Sequence, residues 1–214
     1  MRISVTELES WRLYQQGDEW VDFAELVRRM TPDVGKVETN AMRFGTAFHS
    51  ILEDASVGSN IKNQVSNGVQ FDVDCEYDLW LPPIREIKVE LPLVIDGMDV
   101  TLVGKADAVN GLEVFDHKLV KQFDVEKYLD SLQWRAYLLM FEARKFTYNI
   151  FESDQDTNYC RIRAIHQFSC CRYPEIERDV LFAVRDLARF LRDYVPIRKT
   201  HGDEKKNLIL PPLD

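Results

Sequence analysis

Hydrophobic residues in the first third of the chain recur every three to four positions, which is the spacing of amphipathic helices. Phe44, Phe48 and Ile51, for example, fall on one face of such a helix. Ser4 stands three residues before Glu7, which is the spacing of a capping box at a helix start. The helices predicted in this third cover residues 4–16, 19–30 and 40–55.

The centre of the chain changes to the two-residue alternation that is typical of strands. The predicted strands cover 69–79, 85–95, 99–109 and 112–118. Asp96-Gly97 and Asn110-Gly111 are strong hairpin turns, so we expect the last three of these strands to form an antiparallel meander. A helix at 125–144, strands at 146–152 and 160–171 and a helix at 174–194 complete the prediction. This order predicts an α/β fold around a central sheet.

Composition supports a single folded domain with a real core. The chain has 214 residues, of which 45% are hydrophobic and 11% aromatic. We expect an N-terminal helical part at 1–38, a core at 40–195 and a C-terminal tail at 200–214. The N-terminus shows no apolar signal segment and no run is long enough to span a membrane, so we expect a cytoplasmic protein without a membrane partner.

Charge and cysteine usage narrow the function classes. The formal net charge of −9 disfavours a protein that simply coats nucleic acid, because such proteins are usually basic. The four cysteines form no C-x-x-C pair, so zinc and iron–sulfur sites are poorly supported.

The first candidate for chemistry is a histidine on the third predicted helix. His49 and Glu53 are one helical turn apart and share a face. A neutral imidazole at this position could bind a metal. A structural histidine explains the same pattern when the segment is considered alone.

The second candidate is a group of charged residues on two neighbouring strands. Asp116 and Lys118 point the same way from one strand, and pairing about Asn110-Gly111 places Asp107 roughly opposite residues 114–116. Two carboxylates that meet in this way suit a hard, oxygen-preferring cation. The alternatives are an exposed strand carboxylate and an ordinary surface Asp–Lys pair.

The third candidate lies on the helix that follows these strands. Gln133 and Tyr137 are one turn apart and offer an amide and a phenol that could touch a phosphate. An ordinary helix surface is the alternative.

Taken in order, these segments read helix G-x-x-x-H, strand G-x-x-D, strand D-x-K and helix Q-x-x-x-Y. This arrangement, between about residues 40 and 145, resembles the PD-(D/E)XK nuclease superfamily and in particular its RecB-like and RecE-like exonuclease branch. The resemblance implies a restriction-endonuclease-like core, in which helices flank a central mixed sheet.

The resemblance also implies a role for each residue. Asp107 and Asp116 would bind Mg²⁺ or Mn²⁺, as one or two ions, with His49 and the backbone carbonyl of His117 as further ligands. Lys118 would activate the attacking water and stabilise charge on the phosphate. The remaining assignments are substrate positioning by Gln133 and Tyr137 and an outer-shell carboxylate from Glu53.

The leading hypothesis is therefore a Mg²⁺-dependent deoxyribonuclease that hydrolyses phosphodiester bonds from duplex DNA ends. Similar stand-alone nucleases serve phage-type recombination or DNA processing, beside a single-strand annealing protein or as homo-oligomers. A structure-specific or restriction-like endonuclease is the second hypothesis. A non-catalytic DNA- or protein-binding module is the third, and the acidic net charge favours it mildly.

Overall fold

A central mixed β-sheet flanked by helices forms the body of the protein in a computed structural model that describes residues 1–31, 38–55, 61–77 and 79–195. The helices are α1 (Val5–Gln15), α2 (Phe23–Met30), α3 (Asn40–Asp54), α4 (Val125–Leu129), α5 (Leu132–Met140) and α6 (Ile176–Tyr194). The strands are β1 (Arg2–Ser4), β2 (Gln64–Ser66), β3 (Val69–Val73), β4 (Ile84–Ile95), β5 (Met98–Asn110), β6 (Glu113–Val120), β7 (Lys145–Asp156) and β8 (Tyr159–Cys171). The predicted mixed α/β layout is confirmed.

The sheet runs in the order β1-β5-β6-β7-β8-β3-β2, and β4 pairs with β5 outside this path. The pairs β1–β5, β6–β7 and β3–β8 are parallel, and the other pairs are antiparallel. The meander predicted from the two Gly-containing turns is present as β4–β5–β6.

Two hydrophobic cores lie on opposite faces of the sheet. Tyr148 and Ile150 of β7 point into the larger core, which also contains buried residues of α1, α5 and α6. Phe151, the next residue along β7, points into the smaller core, where it packs against Phe48 of α3 with ring centroids 4.7 Å apart. Strand alternation thus separates a face covered by α1, α5 and α6 from a face covered by α3.

One predicted helix proved to be two. The segment expected as a single helix at 125–144 ends at Leu129 and begins again at Leu132. Ser131 caps the second helix by accepting a hydrogen bond from the backbone N–H of Gln133 at 3.0 Å, and the Glu9 carboxylate accepts one from that of Leu132 at 2.8 Å. These two acceptors satisfy backbone N–H groups that the start of α5 would otherwise leave unpaired. Ending one helix and beginning another here therefore costs little free energy.

Other predicted boundaries moved by a few residues. The second helix begins at Phe23 and not at residue 19, because Asp22 caps it by accepting from the backbone N–H of Glu25 at 2.8 Å. The strand expected at 69–79 ends at Val73. The tail predicted at 200–214 lies outside the described residues. Among the described helices, none has the length and apolarity needed to cross a membrane.

Candidate active site

The candidate site lies where β5 and β6 separate. The two strands are paired only from Ala108↔Phe115 to Asn110↔Glu113. Asp107 is the first residue of β5 beyond this ladder, and its Oδ2 accepts a hydrogen bond from the backbone N–H of His117 at 2.6 Å. The side chain of Asp107 therefore occupies the gap that a continued ladder would close. The gap also lets side chains from both faces of the sheet approach the same point.

Asp116 is the most deeply buried acid of the site, with only 4% of its surface exposed. Its Oδ1 accepts hydrogen bonds from Gln133 Nε2 at 2.7 Å and from Lys118 Nζ at 3.0 Å. Its Oδ2 accepts no hydrogen bond within the described part of the chain, although Lys118 Nζ lies 2.8 Å away as a charge partner. A buried carboxylate oxygen without a hydrogen bond suits a cation ligand.

Gln133 reaches Asp116 because α5 starts where it does. Gln133 lies in the first turn of α5, directly after the Ser131 cap. The break between α4 and α5, which the sequence did not predict, thus sets the position of this amide. One oxygen of Asp116 is held by Gln133, and the other faces the Lys118 ammonium without a hydrogen bond.

His49 approaches the gap from α3, which lies on the face of the sheet opposite to α5. Its Nδ1 lies 3.7 Å from Asp107 Oδ1, which is too long for a hydrogen bond. Burial lowers the pKa of His49, and the Asp116 charge and a hydrogen bond to the backbone of His117 only partly oppose this effect. The imidazole is therefore neutral at neutral pH, which is the form that binds a metal.

Burial and the nearby Asp116 raise the pKa of Asp107 to about 7. Burial alone would lower the pKa of Lys118, but the charges of Asp116 and Asp107 outweigh it and raise that pKa, so the ammonium stays protonated. The closely spaced carboxylates of Asp107 and Asp116 favour a bound cation, because the cation removes their mutual repulsion.

Sequence reasoning missed Glu86, which lies in the part of β4 that runs beside Asp107. The flanking pairs are Arg85↔Ala108 and Ile87↔Ala106. His49, Glu86 and Asp107 each offer a ligand atom, and these atoms lie within 4.8 Å of one another. This cluster could hold a metal ion. The signal was in the sequence, because counting outward from the Asp96-Gly97 turn pairs position 86 with 107.

The structure does not bring Glu53 into this cluster. Its side chain is exposed on α3, one turn beyond His49, while its backbone carbonyl accepts a hydrogen bond from Arg85 Nη1 at 2.9 Å. An outer-shell role for Glu53 therefore has no contact to support it among the described residues.

Tyr137 is buried, and its hydroxyl is engaged by the backbone. It donates to the carbonyl of Lys105 at 2.7 Å and accepts from the N–H of Lys105 at 3.2 Å. Gly104 permits this approach, since a Cβ at that position would lie 2.6 Å from Tyr137 Cε1. The contacts make Tyr137 a support for β5, and its role toward a substrate stays a prediction.

The side chain of His117 belongs to a polar ladder across three strands, in which His117 and Asn149 are buried. Asn149 Nδ2 lies 3.1 Å from His117 Nδ1, and Gln167 Nε2 donates to Asn149 Oδ1 at 2.8 Å. Burial, together with the nearby His49 and Lys118, lowers the pKa of His117 to about 3. The neutral ring accepts at Nδ1 and so carries its proton on Nε2. The ladder fixes β6, which carries Asp116 and Lys118.

Comparisons with known proteins add little to this geometry. No protein-family model matches the chain, and no curated protein matches it. A crystal structure of SSO0001 superposes with a TM-score of 0.48 at 15% identity, covering 88% of this chain and 76% of that protein. A crystal structure of LHK-Exo in complex with dAMP superposes with a TM-score of 0.43 at 10% identity, covering 91% and 89%. Similarity this low carries no argument about function, so the proposals below depend on the site itself.

Proposed function

We propose that this protein is a divalent-metal-dependent deoxyribonuclease that hydrolyses phosphodiester bonds, acting as an exonuclease from duplex ends. The observation that carries the proposal is the convergence of His49, Asp107, Asp116 and Lys118 at the β5–β6 gap. The four groups come from one helix and two strands. They combine metal ligands with a fixed positive charge, which is what hydrolysis of an anionic ester requires.

Asp107 and Asp116 would hold Mg²⁺ or Mn²⁺, with His49 and the backbone carbonyl of His117 as further ligands. Such a cation lowers the pKa of bound water and neutralises charge on the reacting phosphate. The donor set fits, because Asp116 Oδ2 is buried without a hydrogen bond and His49 is neutral. Gln133 holds Asp116 Oδ1, and Oδ2, which has Lys118 Nζ 2.8 Å away, is the oxygen that would act as the ligand.

Lys118 would supply the positive charge that faces the phosphate. Its Nζ is held by Asp116 at 2.8 Å, and about a third of its side chain is exposed to solvent. An ammonium fixed in advance can orient the attacking water and stabilise charge that develops on the phosphate oxygens. The net charge of −9 is compatible with this role, because a bound cation and Lys118 make the potential at the gap locally more positive.

A cleavage assay on linear and covalently closed circular duplex DNA tests the proposal. With Mg²⁺ or Mn²⁺ the protein is expected to degrade the linear DNA and spare the circle, and EDTA should stop the reaction. Asp116→Asn and Lys118→Ala should each lower the rate by about a hundredfold or more. Lys145→Ala is the matched control, because Lys145 pairs with Glu113 at 2.7 Å at the other end of β6.

Each other outcome has a defined meaning. Cleavage of the circle would identify an endonuclease instead. If Asp116→Asn and Lys118→Ala cut DNA as fast as the unmodified protein, the assigned site is wrong. If neither DNA is cut in Mg²⁺ or in Mn²⁺, the enzymatic proposal is refuted and a binding module is favoured.

A further inference from the structure

Glu86 of β4 and Asp107 of β5 lie between the ladder pairs Arg85↔Ala108 and Ile87↔Ala106, and a carboxylate oxygen of each lies within 4.8 Å of the other. Like charges at such positions repel each other and destabilise a strand pair. Lys105, diagonal to Glu86 on β5, places its ammonium against the Glu86 carboxylate. The Glu86 carboxylate is therefore balanced by a cationic side chain of which about half is exposed to solvent.

The backbone holds Glu86 in place. Its φ of 56° lies in the left-handed region, which residues other than glycine adopt rarely and at an energetic cost. The adjacent Arg85 donates to the carbonyl of Pro82 at 2.9 Å and to the carbonyl of Leu52, near the end of α3, at 2.5 Å. Arg85 thus ties the helix that carries His49 to the strand that carries Glu86, which keeps both ligand atoms near Asp107.

We propose that Glu86 is an additional ligand of the metal site and that Lys105 is its competing counter-ion, released by cation binding to contact a DNA phosphate. This inference rests on the proposed function. A divalent cation bound to Glu86 would repel the Lys105 ammonium and weaken its ion pair with that carboxylate. Lys105, about half exposed beside the gap, would then be available to pair with an anionic phosphate.

If Lys105 competes with the cation for Glu86, replacing Glu86 and replacing Lys105 should change the Mn²⁺ affinity in opposite directions. Glu86→Gln removes a charged ligand without changing side-chain size, and should weaken Mn²⁺ binding by about tenfold or more. Lys105→Met removes the competitor and should tighten Mn²⁺ binding by up to about fivefold, the range of a partly exposed ion pair. In the Glu86→Gln background, Lys105→Met should no longer change the Mn²⁺ affinity.

Calorimetric titration with Mn²⁺ measures these affinities, and a thermal melt of each variant checks that it is folded. Lys88→Met is the matched control and should leave the Mn²⁺ affinity unchanged. Lys88 is exposed on β4 directly across from Lys105, and it makes no ion pair with any described residue. Lys105→Arg keeps the positive charge and should keep the competition.

DNA binding supplies an independent readout. In Ca²⁺, used to suppress cleavage, Lys105→Met should weaken binding of a short duplex about three- to tenfold, although it tightens Mn²⁺ binding. A decrease or no change in Mn²⁺ affinity for Lys105→Met, an unchanged Mn²⁺ affinity for Glu86→Gln, or an unchanged DNA affinity for Lys105→Met would each overturn the inference.

The failure of this inference is distinguishable from failure of the proposed function. If Lys105→Met and Glu86→Gln behave like the unmodified protein while Asp116→Asn abolishes metal binding and cleavage, only the inference is wrong. If the unmodified protein binds no Mn²⁺, both are wrong.

Discussion

Replacing Gly104 by alanine tests the close packing between β5 and α5 that supports one side of the gap. A Cβ at this position would lie 2.6 Å from Tyr137 Cε1, 3.2 Å from Val5 Cγ2 and 3.4 Å from Met140 Cε. Tyr137 cannot simply move away, because its hydroxyl bonds both backbone groups of Lys105. One of these contacts must yield, and the strand or the ring has to shift.

The cost follows from known effects of overpacking. An added methyl group in a well-packed region destabilises a protein by about 1–3 kcal/mol. For a chain of this size each kcal/mol lowers the melting temperature by about 2–4 °C, so Gly104→Ala should lower it by about 2–12 °C. Because the Tyr137 hydrogen bonds hold the segment of β5 next to Asp107, Mn²⁺ affinity should fall as well.

Gly45→Ala is the matched control. Gly45 lies within α3, and a Cβ there meets no atom within 4 Å. Alanine is favoured over glycine in a helix by about 1 kcal/mol, so this variant should melt about 2–4 °C higher. Circular dichroism melts of the two variants measure both shifts. A melting temperature for Gly104→Ala at or above that of the unmodified protein would refute the packing argument.

Three further predictions concern the ladder, the thiols and the metal. Asn149→Ala leaves the buried His117 Nδ1 without a partner, so the free energy of unfolding should fall by about 1–3 kcal/mol in a denaturant titration. An unchanged midpoint would mean that the ladder is not formed. Burial raises the pKa of Cys160 to about 11, so at pH 8 a thiol reagent should label the exposed Cys171 quickly and Cys160 only after unfolding. Peptide mass spectrometry measures the labelling, and rapid labelling of Cys160 in the folded protein would contradict its buried position. Mn²⁺ at a hundred times its Kd should stabilise the unmodified protein by about 2.7 kcal/mol and raise its melting temperature by roughly 5–11 °C. Asp116→Asn should show little of this shift, and an equal shift in both proteins would place the cation elsewhere.

The sequence predicts those parts of the fold that depend on local signals. The Ser4–Glu7 capping box is present, with Ser4 Oγ accepting from the Glu7 backbone N–H at 3.1 Å. Asp96-Gly97 joins β4 to β5 as expected, since asparagine, aspartate and glycine tolerate the positive φ that such turns need. The register of β5 and β6 follows from the Asn110-Gly111 turn, and it sets Asp107 and Asp116 one step beyond the last ladder pair, Ala108↔Phe115.

The remaining features depend on tertiary contacts that no local pattern reports. The helix break before α5 needs the Glu9 carboxylate, which is distant in sequence. The burial of Tyr137 needs Gly104 on another element. Strand β1 has only three residues and forms by pairing with β5, so alternation could not reveal it. Glu86 could have been found by counting across the hairpin, but its contact with Lys105 could not.

The most direct test of the central claim is a crystal structure of the protein soaked with Mn²⁺, with anomalous scattering used to place the ion. The account predicts an anomalous peak at the β5–β6 gap, within ligand distance of Asp107 and Asp116 and adjacent to His49. A peak at another place on the protein, or no peak at a Mn²⁺ concentration that supports DNA cleavage, would contradict it.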